Sequence, residues 1–188
     1  MYDIIPQIHY CLRKEAVNMC MNNEGEYGKY ILQDIILPAV MSTPEAEKQY
    51  YGIGRRRILW IDGNNMAGAN FQMNSTWIVH ADREIHRAEE ADGKVDTRGK
   101  QHSHDTDELL SFLGSNPDDP SDLCGEVEFY IEGEKHILTK STYVYLPAGV
   151  KHSPLYMNRV DRPIFHFSLV FGPKYHMNLA DGSVYLAE

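Results

Sequence analysis

The stretch that decides the fold is His102-Ser103-His104-Asp105-Thr106-Asp107-Glu108, followed further along the chain by Pro147-Ala148-Gly149-Val150-Lys151-His152. Alternate residues of a β-strand project from the same face, so His102 and His104 can reach one ion. Glu108 follows closely enough to come from the next bend or strand, and His152 arrives behind a tight Pro-x-Gly turn. Three imidazoles and a carboxylate make a suitable ligand set for one transition-metal ion.

These two segments resemble the two motifs of the cupin superfamily, G-x5-HxH-x3,4-E-x6-G and G-x5-PxG-x2-H-x3-N. In that resemblance the four metal ligands are His102, His104, Glu108 and His152. The resemblance covers about residues 95–172, and its motifs are specific to the superfamily rather than to any activity. It implies a double-stranded β-helix, the jelly-roll barrel. It also implies a homodimer, since cupins often pair.

The flanks of the two motifs depart from the family pattern at Asp96, Gly133 and Asn158. An insertion, Ser115–Cys124, also separates Glu108 from Gly125. It leaves open whether Glu108 or a neighbouring aspartate, Asp105 or Asp107, is the fourth ligand. Because the insertion has two prolines, three aspartates and almost no apolar anchor, it is predicted to be a mobile loop near the cavity mouth.

The size and charge of the chain limit the classes of protein to which it can belong. Its 188 residues predict one domain, and its net charge of −9 disfavours nucleic acid and anionic membranes as partners. The basic run Arg55–Arg57 is interpreted as charges flanking a strand. The chain has neither a signal-peptide pattern nor an apolar run near the roughly 20 residues of a membrane span. The odd number of cysteines indicates reduced thiols, so a cytoplasmic location is expected.

The N-terminal part of the chain has a helical pattern. Apolar residues recur at spacings of three and four over residues 4–22, and Thr43-Pro44 is typical of a helix start. Residues 1–50 are therefore predicted to form a helical extension, and residues 51–188 a cupin domain. The apolar stripe, which includes Ile4, Ile8 and Leu12, is expected to pack on the outside of the barrel or across a dimer interface.

From Arg57 onward the pattern changes to strands and turns. The predicted strands are Arg57–Ile61, Phe71–His80, Gly125–Ile131, His136–Leu138, Thr142–Leu146 and Ile164–Phe171. Many short strands separated by Gly and Pro turns predict a sandwich or a closed barrel. The predicted class is therefore all-β with an N-terminal helical extension.

Two further residues are candidates for a catalytic role. His166 and Ser168 alternate with aromatic residues, so the polar side chains share one face of their strand. If that face is the barrel interior, His166 lines the metal cavity; otherwise it is a surface histidine. Tyr145, beside the second motif, can point its hydroxyl at a substrate, although packing is the more common role of such a residue.

The ligand set and its open coordination positions indicate metal-dependent chemistry. Nitrogen and oxygen ligands without thiolate suit one divalent ion, Fe foremost, with Mn, Ni, Co or Zn as alternatives. The first choice is an Fe(II) dioxygenase of a small organic or aromatic acid. The alternatives are a non-catalytic module that binds a metal or metabolite, and a cupin isomerase or decarboxylase. A metal-independent sugar epimerase fits less well, because that branch dispenses with the full ligand set. The expected partner is a small-molecule substrate.

Overall fold

β-Strands form nearly all the regular structure in the computed structural model, which describes residues 25–35, 37, 55–83, 100–174, 176–180 and 182–186. In chain order the elements are a short 3₁₀ helix, Gly28–Tyr30, and the strands β1 (Arg55–Ile61), β2 (Phe71–Ile78), β3 (His102–Ser103), β4 (Glu108–Leu113), β5 (Asp122–Ile131), β6 (Glu134–Lys140), β7 (Thr142–Leu146), β8 (His152–Val160), β9 (Ile164–Phe171), β10 (His176–Leu179) and β11 (Val184–Leu186). The all-β class is confirmed. The helices predicted within residues 1–50 lie outside the described residues.

The strands pair in a nested order that defines a jelly roll. β5 pairs with β6, β4 with β7, β3 with β8 and β2 with β9, all antiparallel. This is the order of one long hairpin that has been folded over on itself. It produces one sheet in the order β1-β2-β9-β4-β7 (the first sheet) and another in the order β11-β10-β3-β8-β5-β6 (the second sheet). The predicted jelly-roll barrel is confirmed by this topology.

A hydrophobic core fills one end of the space between the two sheets. Phe112 of β4 and Ile164 of β9 are fully buried in the first sheet, and Val127 and Met157 face them from the second. Alternation puts these residues on the inner face of each strand, as the period of two requires. Glu108 is the first residue of β4 and His152 is the first residue of β8. The candidate ligands therefore lie at one end of this core.

The basic run Arg55–Arg57 lies inside β1, so its interpretation as charges flanking a strand is wrong. Arg55 pairs in register with Ile78, and Arg57 with Thr76, which places both arginines on the inner side of the sheet edge. Arg55 lies 3.5 Å from the carboxylate of Asp82, and the guanidinium of Arg57 lies 5.5 Å from the ring centre of Trp60. Ion pairing and ring contact therefore allow two charged side chains to face inward at an edge strand.

The insertion Ser115–Cys124 differs from its prediction in position and in anchoring. It follows Leu113, and five residues of β4 place that end about 17 Å from Glu108, so the insertion is not at the mouth of a cavity over the ligands. Its last three residues belong to β5, with Leu123 fully buried. At its base a Cβ on Gly114 would lie 1.9 Å from the carbonyl oxygen of Asp122. For residues 115–121 mobility stays a prediction.

The outer side of the first sheet carries a broad layer of aromatic side chains. This aromatic face consists of Phe71, Trp77, Tyr143, Tyr145, Phe165, Phe167 and Phe171. Trp77 packs edge-on against Phe165 at 5.4 Å, and Tyr143 lies 6.2 Å from Phe167. Tyr143 is nevertheless 63% exposed and Phe171 50% exposed.

None of the helices in the described parts of the chain has the length and hydropathy of a membrane span.

Candidate metal centre

Strand pairing brings the two sequence motifs together. His102 of β3 is the direct antiparallel partner of His152 of β8, so their side chains leave neighbouring strands on the same side. His104 lies just beyond β3, where its carbonyl oxygen accepts a hydrogen bond of 2.8 Å from the backbone N–H of Gly149. Gly149 has φ +82°, a conformation that glycine adopts without strain. The Pro-x-Gly turn thus holds the second motif against the first.

The three histidines converge on one point. Ligand nitrogens of His102, His104 and His152 all lie within 4.8 Å of one another. Neighbouring nitrogens bound to a common metal at about 2.1 Å would be about 3 Å apart, a separation that small rotations of the imidazole side chains supply. His104 and His152 are buried, whereas His102 is half-buried at the edge of the group. The group can therefore hold a metal ion.

Backbone carbonyl groups fix the orientation of all three imidazole rings. Nδ1 of His102 lies 2.9 Å from the carbonyl oxygen of Lys100, and Nδ1 of His152 lies 3.2 Å from that of Val150. Nδ1 of His104 is hydrogen-bonded to the carbonyl oxygen of His176. A carbonyl oxygen only accepts, so each Nδ1 carries the hydrogen and each neutral ring presents a lone pair on Nε2. Such outer partners are typical of metal-binding histidines.

Glu108 completes the group with a buried carboxylate oxygen. Its Oε2 lies 2.9 Å from Nε2 of His152 and 3.2 Å from Nε2 of His104. Among the described residues no donor makes a hydrogen bond of good geometry to this oxygen. With neutral rings, two lone-pair nitrogens meet an acceptor-only oxygen, and this arrangement is favourable only when a cation, either a proton or a metal ion, joins them. The donor atoms therefore fit a divalent metal.

The ionisation states of these residues also suit metal binding. Burial opposes ionisation of Glu108, but its contacts with His104 and His152 outweigh burial and hold the pKa of the carboxyl well below its ordinary value. Burial, together with the nearby His152, lowers the pKa of His102 to about 4. For His104 burial lowers the pKa, but the contact with Glu108 outweighs it, so the pKa is raised. A proton on His104 and a metal ion therefore compete for one position.

The two aspartates that were alternatives to Glu108 point elsewhere. Asp107 accepts a 2.6 Å hydrogen bond from the hydroxyl of Tyr145 and a 3.0 Å bond from the N–H of Ala148, so it holds the Pro-x-Gly turn. Asp105 accepts a 2.6 Å bond from the amide of Asn178, and its side chain is 70% exposed. Among the three acids the structure brings only Glu108 to the histidines.

The two candidate catalytic residues lie on opposite sides of the barrel wall. Tyr145 is 59% exposed on the outer face of β7, where its hydroxyl donates to Asp107 and does not point into the barrel; a contact with a substrate stays a prediction. His166 faces inward and is buried, which is the first of the two alternatives that the alternation along β9 left open. Its Nδ1 donates a 2.6 Å hydrogen bond to the carbonyl oxygen of Ser111, and its ring stacks on Phe112 at 4.8 Å.

His166 should make stability depend on pH. Burial, reinforced by the charge of Arg55, lowers the pKa of His166 to about 4, whereas an unfolded histidine titrates at about 6.5. The unfolded state therefore binds more protons between these values, so stability is full above about pH 6.5 and falls as the pH drops towards 4. From about pH 7 to pH 5 the free energy of unfolding should fall by about 2 kcal/mol on this account.

The substitution His166→Asn isolates this effect, because its amide can still donate to the carbonyl oxygen of Ser111. Urea unfolding of the metal-free parent and of the variant, at both pH values, measures the difference. We expect the variant to lose less stability than the parent on acidification. Equal losses in the two proteins would show that His166 is not the group that titrates.

Comparison with known proteins finds solved structures of similar fold. No protein-family model matches the chain, and no curated protein matches it. Similar solved structures include KdgF from Halomonas sp., with 12% identity, a TM-score of 0.36 and coverage of 64% of this chain and 78% of that one. A sugar phosphate isomerase from a cupin superfamily, from Silicibacter pomeroyi, has 12% identity, a TM-score of 0.39 and coverage of 74% and 79%.

A cupin protein from Bacteroides fragilis has 14% identity, a TM-score of 0.34 and coverage of 60% of this chain and 75% of that one. The strand pairing of the chain itself is more informative than these distant similarities. The hairpin is folded in jelly-roll order, and both motifs lie where that fold brings His102 beside His152 and Glu108 beside His104. The chain has a cupin-type jelly-roll fold.

Proposed function

We propose that the protein is a metal-dependent cupin whose centre is held by His102, His104, His152 and Glu108. The observation that carries the proposal is the orientation of the side chains, because every Nδ1 is bound to a carbonyl oxygen while Nε2 atoms meet the buried carboxylate. Four protein ligands leave positions open on a five- or six-coordinate ion. A small substrate can therefore reach the metal.

The ligand atoms favour a divalent transition-metal ion. Imidazole nitrogen and carboxylate oxygen suit Fe(II), our first choice, and also Mn(II), Ni(II), Co(II) or Zn(II). Such an ion supplies a Lewis acid and, where it is iron, a site for O2 activation. The reducing cytoplasm, the location that we propose, would keep both Fe(II) and the buried thiol of Cys124 reduced.

We propose Fe(II)-dependent dioxygenation of a small organic or aromatic acid as the reaction. The competing functions are metabolite binding without turnover and isomerisation or decarboxylation at the same centre. The chain's own contribution is the same in each case: Glu108 and the histidines fix the metal, and the half-buried His102 marks the side from which solvent approaches. Oxygen consumption distinguishes these functions, because dioxygenation alone requires O2.

Measurement of oxygen uptake tests this reaction. Protein loaded with Fe(II) without air is mixed with aerated buffer and with a panel of small hydroxy, keto and phenolic acids. We expect uptake above background with one class of acid, and little with the Glu108→Gln variant, which keeps the side-chain volume but loses the charge. Iron-loaded protein that consumes no O2 with any compound, while it converts one of them or binds it unchanged, would contradict dioxygenation.

We also propose that the protein is a homodimer joined through the aromatic face. Outward-facing aromatic residues are enriched at the centres of protein interfaces. Five strands at about 4.8 Å spacing and about eight residues long give a face of roughly 600 Å² in projection, which matches one side of a standard interface. In that arrangement Tyr143 and Trp77, both exposed in the single chain, become buried against the second copy.

A further inference from the structure

The candidate metal centre draws its ligands from both sheets of the barrel. His102 and His152 lie on β3 and β8 of the second sheet, and His104 directly follows β3. Glu108 begins β4 of the first sheet. The distance from the carboxylate to the imidazoles therefore depends on how the two sheets are held at this end. Because metal–ligand distances vary by only about 0.2 Å, a metal site here needs a fixed geometry.

Two connections pass from one sheet to the other beside the ligands. The first crossing, residues 104–107, leads from β3 to β4, and the second crossing, residues 147–151, leads from β7 to β8. A main-chain hydrogen bond of 2.8 Å from the N–H of Gly149 to the carbonyl oxygen of His104 joins them. Whatever else holds one crossing against the other also fixes the ligands that they carry.

Asp107 adds a side-chain link between the two crossings. Its Oδ1 accepts a 3.0 Å hydrogen bond from the N–H of Ala148, and its Oδ2 accepts a 2.6 Å bond from the hydroxyl of Tyr145. Its backbone is also held, because its carbonyl oxygen accepts a 3.2 Å bond from the N–H of Phe171. Hydrogen bonds to an ionised carboxylate are stronger than those between neutral groups. Asp107 therefore ties β7, β9 and the second crossing to the residue that precedes Glu108.

This link lies outside the barrel, whereas the ligand next to it lies inside. Side chains of adjacent residues at the start of a strand point to opposite faces. Asp107 thus reaches Tyr145 on the outer face, while Glu108 reaches His152 on the inner face. Tyr145 is 59% exposed, whereas Glu108 is 3% exposed. Asp107 can therefore act on the metal centre only through the backbone that it holds.

We propose that Asp107 and Tyr145 form a brace, a pair of positioning residues that holds the two crossings together for metal binding. Without the brace the N–H of Ala148 faces water, and the second crossing can move away from β4, which carries Glu108. Part of the binding free energy of a metal ion then goes into ordering the crossing, so the metal affinity falls. The brace rests on the proposed metal centre and adds to it two residues that bind no metal themselves.

Zinc affinity measures the contribution of the brace. Competition with a chelator gives the zinc dissociation constants of the full-length parent and its variants. We expect Asp107→Ala to weaken zinc binding about tenfold, the lower end of the effect of losing groups that orient metal ligands. Asp107→Asn should recover most of the affinity, because its amide can still accept from Ala148 and donate to Tyr145. Tyr145→Phe, which leaves the bond to Ala148 intact, should weaken zinc binding about threefold.

Asp119→Ala is the matched control. Asp119 is also an exposed acid whose Oδ1 accepts from a hydroxyl and from a backbone N–H, both of Ser121, at 2.7 Å and 3.1 Å. It lies in the insertion at the far end of β4, so its loss should leave the zinc affinity unchanged. The metal-free melting temperatures of Asp107→Ala and Asp119→Ala should be similar. The loss of affinity then belongs to the site and not to the general stability.

Amide hydrogen exchange supplies a readout that needs no metal. In metal-free protein the N–H of Gly149 should exchange several times faster in Asp107→Ala than in the parent or in Asp119→Ala. An Asp107→Ala variant that binds zinc as tightly as the parent, or that leaves the exchange of Gly149 unchanged, would overturn the brace. So would a much lower melting temperature than that of Asp119→Ala without recovery in Asp107→Asn, because Asp107 would then serve folding. Parent protein that binds no zinc would overturn the metal centre, and the exchange rates alone would then decide whether the brace exists.

Discussion

The His152→Ala variant should lose its metal almost completely. His152 is buried, its Nδ1 is fixed by the carbonyl of Val150, and its Nε2 lies 2.9 Å from Oε2 of Glu108. Removal of one ligand of four leaves a cavity and one fewer metal bond. Elemental analysis after metal-replete expression should give about one ion per chain for the parent and near zero for the variant. The parent should also melt about 5–10 °C higher with metal than without, a shift that the variant lacks.

His136→Ala is the control for this experiment. His136 lies on β6, its side chain is 38% exposed, and its nearest acidic atom is in Glu134 at 3.9 Å, so the substitution removes an imidazole of the same kind without touching the site. We expect its metal content and its melting shift to equal those of the parent. Glu108→Gln should fall between the two, because it keeps the shape of the side chain but loses the charge. Equal metal in all four proteins would mean that the ion binds elsewhere.

The sequence predicts the ligands well because their spacing is a consequence of the fold. Two histidines at alternate positions share a strand face, and a Pro-x-Gly turn delivers the third to the neighbouring strand. The structure places His102 and His152 as direct register partners and brings Glu108 to both His104 and His152. The strand limits were equally predictable where apolar and polar residues alternate between turns, as in Thr142–Leu146 and Ile164–Phe171.

What surrounds the ligands could not be predicted from residue type. The groups that orient the histidines are backbone carbonyls of Lys100, Val150 and His176, and any residue has such a carbonyl. Asp107 holds the Pro-x-Gly turn by accepting a hydrogen bond from the N–H of Ala148. This role could not be predicted, because the two residues are far apart in sequence. Tyr145 could not be placed either, because its strand alternates without a clear difference in polarity between its two faces.

The two faces of β9 show how one alternating strand can serve two purposes. His166 and Ser168 turn towards the interior, where His166 donates to the carbonyl oxygen of Ser111. Phe165 and Phe167 turn outward, where Phe167 adjoins Tyr143 and Phe165 adjoins Trp77. In the middle of β9 this differs from the usual pattern of an antiparallel sheet, in which the apolar side faces the core, whereas Ile164 and Val170 near its ends do face inward. The outer side of this strand therefore presents an apolar surface that another surface can cover.

If the partner of the outer surface is a second copy, one charged substitution should separate the copies. Tyr143→Glu places a carboxylate at a residue that is 63% exposed in the single chain and lies against Phe167. In a two-fold interface each substitution occurs twice, and a buried tyrosine at its centre is worth about 2 kcal/mol, so the two losses together should raise the dissociation constant about a thousandfold. Light scattering at about micromolar concentration should change from dimer to monomer.

Ile137→Glu provides the matched control, because Ile137 is also an exposed apolar strand residue, at 46%, but lies on β6 of the second sheet. This variant should stay dimeric, since its charge enters water and not the interface. Metal content should be unchanged in both variants, because neither substitution touches the histidines or Glu108. A parent that is monomeric by light scattering, or an Ile137→Glu variant that dissociates as readily as Tyr143→Glu, would contradict pairing through the aromatic face. In either case a segment of the chain's own first fifty residues, with its apolar stripe at Ile4, Ile8 and Leu12, would become the next candidate to cover that face.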